Sequence, residues 1–441
     1  MEHVVKDFGS YKLHLIKTDK FKTIRMKLFF YSPIKKDEIT IRNFLIGMLK
    51  VTNKKYPTKR ELALKCQDLY ACGLGYDITR FGNFYNYYFA IDSLEDKYTE
   101  KGNFEKCVEL LSDVIYNPNV IDNKFDEKYF NIVKHDATLS INSIKENPNV
   151  YSRIRLLEEM DKDSPMSYRM VGNIDDLNKV TPENLYEYYL KIMKEDYMDI
   201  YVIGNFDFNE MEELVKKYFK QKIYKNNTKS FKLDEYKGRV KQKEVIEEND
   251  TNQSNLVIGC RLKKLTEFEL KYVINLYSII LGGGANSKLF QNIREKNSLC
   301  YYIHSVINKL DNLMLIRAGI TNENYEKVVK LVKEELKNMK KGKFTEKDIE
   351  NAKQLYLSSL DEIEESLDDI IDSYYMMDLL GVDDIETKKK KIVTVTKEDI
   401  EKVSNKIFVD TIYMLEGVKE WKNMNWKIWI FQYIQKHLVM V

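Results

Sequence analysis

The chain has 441 residues, 44% hydrophobic and 32% charged, with 17 glycines and 6 prolines. This excludes collagen-like or low-complexity character and describes a globular protein too long for one core of about 150 residues. With 71 Lys and Arg against 69 Asp and Glu, the net charge is +2, so nothing pulls it generally toward nucleic acid or anionic membranes.

Apolar residues recur with period two at Ile24, Met26, Leu28 and Phe30, the pattern of a half-buried strand. A helix is expected over Arg42 to Leu49. Cys66 and Cys72 read as small core residues on a helix and its exit. Tyr85, Asn86, Tyr87 and Tyr88 fall on an expected strand. Phe104, Val108, Leu111 and Ile115 share one helix face. Phe125 to Phe130 opens a further helix that carries His135 and Asp136. Neighbours on a helix point about 100° apart, so these two do not form an acid–base pair, and His135 reads as a partly exposed helix residue. Val180 to Leu185 introduces a helix that leads to a strand, Ile200 to Gly204. The polar, aperiodic run Lys225 to Ser230 marks a boundary.

The series then repeats. Leu256, Ile258, Cys260 and Leu262 mirror the first strand. Tyr325, Val329, Val332 and Leu336 mirror the helix face at the same spacing. Phe344 to Ile349 mirrors Phe125 to Phe130, and Lys353 stands where Lys134 does. Val395 to Ile400 mirrors Val180 to Leu185 and precedes a strand, Thr411 to Leu415. Matches in one order point to duplication. The expected fold is α+β, with two similar halves, residues 1–225 and 226–420. Each half is a mostly antiparallel sheet with helices packed on one face. The Lys388 to Lys391 run reads as a solvated helix end. The apolar tail, residues 421–441, contains Trp426, Trp429, Ile430, Phe431 and Ile434 and has no counterpart in the repeat. It reads as a partner-docking helix or as an aberrant extension.

The opening passage has no basic run leading into an apolar one, and no stretch offers the roughly 18 apolar residues of a spanning helix. The 5 cysteines, Cys66, Cys72, Cys107, Cys260 and Cys300, include no C-x-x-C pair. They argue against a disulfide framework or zinc ribbon and toward a reducing cytoplasm. The 5 histidines are His3, His14, His135, His304 and His437. No two lie four apart, so no helix can present a histidine pair to a metal. Cys300 and His304 are a possible nucleophile and base by spacing, but nothing identifies oxyanion donors or an orienting acid.

The most distinctive segment is Leu281 to Tyr301, LGGGANSKLFQNIREKNSLCY. Gly282, Gly283 and Gly284 follow an apolar helix, Tyr272 to Ile280, and free the backbone for close approach. Ser287 is placed to cap the next helix. Arg294 and Tyr301 are seven apart, about two turns if that helix persists. By itself the segment is a helix, a glycine turn and another helix, with Arg294 in a surface ion pair.

The segment resembles the second-half motif of the insulinase/pitrilysin-type metallopeptidases, the inverzincins, and the resemblance runs from about Phe21 to Gly417. It implies two halves facing each other across a cavity. It implies that Arg294 and Tyr301 bind a substrate carbonyl and steady an oxyanion, with Gly282, Gly283, Gly284 and Ser287 beside the substrate. It also implies that the inner strand edge, near the Tyr85 to Tyr88 patch, pairs with an extended substrate. The family's first-half signature, H-x-x-E-H, carries zinc and a general base on one helix. The corresponding positions here are Asn43, Ile46 and Gly47, and a further ligand position near Leu139 to Ile141 has no carboxylate.

The lost ligands and the kept second-half motif look most like a bacterial, zinc-motif-lacking subgroup. Its members pair with a zinc-bearing sister chain, and some are linked to 5-aminopentanol modification of elongation factor P or to peptide maturation. The resemblance implies an inactive subunit without a cofactor of its own, zinc being expected only in the sister chain. Its other partners would be a peptide or unfolded protein, with no nucleic acid and no membrane. Two other readings stay open: a non-catalytic peptide-binding or scaffold protein, and a zinc metallopeptidase with atypical ligands.

Overall fold

The computed structural model describes residues 1–219, 241–251 and 253–417. The first half opens with β1 (Glu2–Asp7), β2 (Tyr11–Lys17), β3 (Thr23–Pro33), α1 (Ile39–Leu49) and α2 (Lys59–Asp68). It continues through β4 (Gly73–Phe81), β5 (Phe84–Leu94), α3 (Asn103–Tyr116) and a short hairpin of β6 (Val120–Ile121) and β7 (Lys124–Phe125). It closes with α4 (Glu127–Asn142), α5 (Pro148–Met160), α6 (Ile174–Asn178), α7 (Pro182–Glu195), β8 (Tyr197–Gly204) and α8 (Phe208–Tyr218). The second half opens with β9 (Lys243–Asn249), β10 (Ser254–Leu262), α9 (Ile274–Gly282), β11 (Cys300–Asn308) and β12 (Leu313–Ile320). Then come α10 (Tyr325–Lys340), α11 (Glu346–Ile363), α12 (Leu367–Leu380), α13 (Ile385–Ile392), α14 (Lys397–Ser404) and β13 (Ile407–Gly417). The run at Lys225 to Ser230, His437 and the tail from residue 421 lie outside the described residues.

Two sheets carry the halves, in the orders β1-β2-β8-β3-β5-β4 and β11-β12-β10-β13-β9. Each has one parallel pair, β2 with β8 and β9 with β13, among antiparallel neighbours. Equivalent strands hold equivalent places: β3 lies between β8 and β5 as β10 lies between β13 and β12. The repeats explain this locally. Thr181 and Thr396 close capping boxes at the starts of α7 and α14, and Thr345 does so for α11. Lys134 Nζ donates to the Val180 carbonyl at 2.9 Å, and Lys353 Nζ to the Val393 carbonyl at 2.9 Å. Each repeated lysine thus ties its helix to the segment before the next cap.

One face of each sheet carries its own half's helices. Ile24, Met26, Leu28 and Phe30 pack against α1 and α3, and Leu256, Ile258, Cys260 and Leu262 pack against α9 and α10. Each such fully buried side chain contributes about 1.5–3 kcal/mol.

The other face of each sheet is covered from the opposite half. Ile370, Ile371, Tyr375 and Leu379 of α12 pack on Ile16, Phe29, Tyr201 and Ile203 of the first sheet. Tyr151, Leu156 and Met160 of α5 pack on Val257, Leu315, Tyr413 and Leu415 of the second. The halves therefore exchange one helix each. Polar groups fasten the exchange. Lys27, 1% exposed, reaches Asp368 at 2.9 Å and Asp372 at 2.6 Å on α12. Arg80, near the end of β4, grips Asp311 in the β11–β12 turn with both terminal guanidinium nitrogens. The Tyr85 to Tyr88 patch lies on β5, inside the sheet, so the exposed edge at this end is β4 and not the tyrosine-rich strand.

Candidate functional site

The helix expected around Arg42 to Leu49 is α1, and it borders a cavity of about 240 Å³. Asn43 and Gly47 line this cavity, together with Tyr76 of β4 and Asp136, Ser140 and Ile141 of α4. The Asn43 side-chain amide donates to the Met170 carbonyl. Ile46 is fully buried in the first core. A Cβ at Gly47 would lie 3.4 Å from Val133 Cγ1, so α4 already closes the space there. The polar groups of the wall are thus the Asn43 amide, the Thr40, Tyr76 and Ser140 hydroxyls, the Lys50 ammonium group and one carboxylate, Asp136.

That donor set does not fit zinc, which takes three or four His, Cys or carboxylate ligands in tetrahedral array. Among the described residues no group of three His, Cys, Asp or Glu side chains is placed to hold a metal ion. The histidines are scattered. His14 stacks between His3 and Tyr201, His135 is exposed on α4, and His304 lies on β11. Asp136, which the helix geometry turns away from His135, reaches the cavity. Its spacing of four from Ser140, one helical turn on the same face, is the signal that could have found it.

In the second half, the glycine turn divides into packed and surface residues. Gly282 ends α9 and is buried where α9 approaches β11; a Cβ there would come within 2.6 Å of the Ser305 backbone nitrogen. Gly283 and Gly284 are exposed, and Gly284 has φ +154°. Ser287 is buried, and its hydroxyl donates back to the Gly284 carbonyl at 2.7 Å instead of accepting from the next turn. Of the four residues expected beside a substrate, only Gly283 and Gly284 present themselves at the surface.

The helix after Ser287 does not persist to Tyr301. It ends in a π-helical segment, Phe290–Glu295, and the chain turns at Ser298, where φ is +53°. Tyr301 then sits on β11, the edge strand of the second sheet, where the register to β12 shifts between Cys300 and Tyr302. This bulge turns Tyr301 outward, 60% exposed. Arg294 lies over the Phe290 ring, 4.6 Å from its centroid, with Glu295 4.0 Å away. Its side chain is 42% exposed. Both donors stand at the surface, and neither lines the cavity beside α1.

The bulge also separates Cys300 from His304. Cys300 packs against the helix-covered core, whereas His304 faces Tyr302 on the opposite side of the strand. Burial pushes the Cys300 thiol up to about 11, with Arg294 pulling weakly the other way. Burial and the Arg317 charge hold His304 below its ordinary value. A protonated thiol with its histidine on the far face is no nucleophile pair.

Two duplicated α+β halves thus carry an α1 wall whose donor set does not fit zinc and, in the second half, exposed Arg294 and Tyr301 side chains. Residues 179–356 match the family described as Peptidase M16 inactive domain. The chain is 32% identical to Bacillus subtilis "Probable inactive metalloprotease YmfF" over 420 residues, covering 93% of this chain and 97% of that one. It belongs to the insulinase-type peptidase M16 family, in its inactive group. A conserved protein from Enterococcus faecalis V583 superposes with TM-score 0.86 at 24% identity, covering 96% of this chain and 100% of that one. A peptidase M16 inactive domain protein from Pseudomonas fluorescens gives TM-score 0.75 at 15% identity, covering 96% and 100%.

Proposed function

We propose that the chain is the non-catalytic subunit of a peptide-binding pair. Its partner is a zinc-bearing sister chain of the same family, to whose site it offers Arg294 and Tyr301. The observation that carries this reading is the contrast between the two motifs. The α1 positions are filled by Asn43, Ile46 and Gly47, which offer no zinc-ligand set, while Arg294 in the π-helical segment and Tyr301 on the edge strand β11 both stay exposed. The Tyr301 hydroxyl makes no hydrogen bond among the described residues, and a guanidinium and a phenol are donors suited to a substrate carbonyl where charge develops. The substrate would be a peptide or unfolded protein, in a setting such as peptide maturation or elongation factor P modification. Five free cysteines agree with a reducing, cytoplasmic location. Among the described residues no helix is long and apolar enough to cross a membrane.

The test is co-purification with the sister chain and assay of the pair on unstructured peptides. Arg294→Ala and Tyr301→Phe should lower kcat/KM by about 10²-fold or more while the pair still forms. An unchanged kcat/KM would leave only the scaffold reading, and failure to pair would end both the pairing and the shared site.

A further inference from the structure

A large cavity lies away from both motifs. It has a volume of about 940 Å³ and is bounded by α12, α13 and the β11–β12 turn. That is the upper end of the roughly 300–1,000 Å³ typical of small-molecule sites. Its walls are mainly apolar, from Leu270, Tyr356, Ile363, Met376, Leu379 and Leu380. Two lysines, Lys309 and Lys388, also line it.

Three of the four carboxylates that line this cavity are already paired. Asp383 accepts from Lys271 at 3.1 Å and from the Tyr272 hydroxyl. Asp372 holds Lys27 at 2.6 Å, and Glu267 holds Lys271 at 2.7 Å. Asp369 sits in the first turn of α12, where a carboxylate is favoured by the helix dipole. Neither Lys309 nor Lys388 makes an ion pair within 4.0 Å among the described residues, although the Asp383 and Asp384 charges act on Lys388 from further off. Lys309 donates to the Lys271 carbonyl at 3.2 Å. Burial and the Lys388 charge push its pKa down to about 8, and burial, with the Lys271 charge, lowers that of Lys388 against the opposing pull of Asp383 and Asp384. Two ammonium groups facing one apolar chamber repel each other, and an anion between them would relieve the repulsion. The turn that holds Lys309 is rigid, because Asp311 is gripped by Arg80 and accepts from Asn308.

We infer that this chamber binds a small amphipathic carboxylate, its head between Lys309 and Lys388 and its apolar body along α12. This goes beyond the subunit role and does not depend on it. The probe is decanoate below its micelle concentration, titrated calorimetrically into the full chain, with 1-decanol as the uncharged control. Decanoate should bind at least about tenfold more tightly than decanol, and Lys309→Met should remove about that factor while leaving decanol unchanged. Lys388→Met should weaken decanoate in the same direction. In the unaltered protein, decanoate should shield Lys309 from reductive methylation, read by mass spectrometry. No decanoate binding, equal affinity for decanol, full affinity in a folded Lys309→Met variant, or unshielded Lys309 would each overturn the assignment.

Discussion

Phe29 of β3 and Tyr375 of α12 stack with ring centroids 3.8 Å apart and planes 5° from parallel. The rings come from opposite halves. The Tyr375 hydroxyl continues inward to donate to Asn86 Oδ1 at 2.5 Å. An aromatic stack and a buried hydrogen bond thus converge where the second half's helix lies on the first half's sheet.

Removing that ring should cost about 3–5 kcal/mol, as for other buried aromatic truncations. Tyr375→Phe keeps the stack and strands only Asn86, so its loss should be about 1–3 kcal/mol. Urea unfolding of the two variants separates these contributions; equal losses would show that the stack matters little.

The Arg80–Asp311 pair gives a second expectation. Asp311 is 2% exposed, so Arg80→Ala leaves a buried carboxylate without its partner and should cost about 3–5 kcal/mol. Arg80→Lys should rescue little, because a lysine cannot reproduce the two-pronged contact. Thermal denaturation of the three proteins checks the order.

Two glycines in the motifs should behave oppositely. Gly282→Ala drives a Cβ to within 2.6 Å of the Ser305 backbone nitrogen and should cost about 1–3 kcal/mol. At Gly47 the nearest atom is 3.4 Å away, and alanine is the better helix former, so Gly47→Ala should gain up to about 1 kcal/mol. Denaturant midpoints measured side by side decide both.

Glu38 sets a pH dependence. Burial raises its pKa, but hydrogen bonds from Lys191, Tyr188 and Lys35 outweigh this and lower it from the ordinary 4.5 to about 2. The folded state therefore binds the proton less readily than the unfolded chain. The stabilisation is complete above pH 4.5 and is lost as pH falls toward about 2. A melting-temperature series should show this acid limb in the native protein and a shallower one in Glu38→Gln.

Much of the fold could be read from residue periodicity. The alternations at Ile24 to Phe30 and Leu256 to Leu262 and the two helical stripes all fall in the two main cores. A repeat states which elements correspond, but not that α5 and α12 would each cross to the other sheet. That exchange depends on contacts between residues far apart, such as Phe29 and Tyr375, which local pattern does not encode. At the site, the sequence alone excludes a helix with histidines four apart. The site was less legible where backbone geometry intervened. The seven-residue spacing of Arg294 and Tyr301 suggested one continuous helix, but a turn at Ser298 and a bulge in β11 place them on different elements. Lys388 read as part of a solvated charge run, yet it lines a chamber. A run of lysines does not reveal which one faces inward.

The exchanged helices also bear on how the chain is made. The first sheet is complete in sequence once β8 has been synthesised, but its second face, with Ile16, Phe29, Tyr31, Tyr201 and Ile203, is covered by α12, which comes late in the second half. During translation the finished first sheet waits with an apolar surface open while the ribosome works through β9 to α11. An apolar face left open at that stage is the kind of surface that promotes aggregation, and a chain ending before Leu367 would lack the helix that covers it.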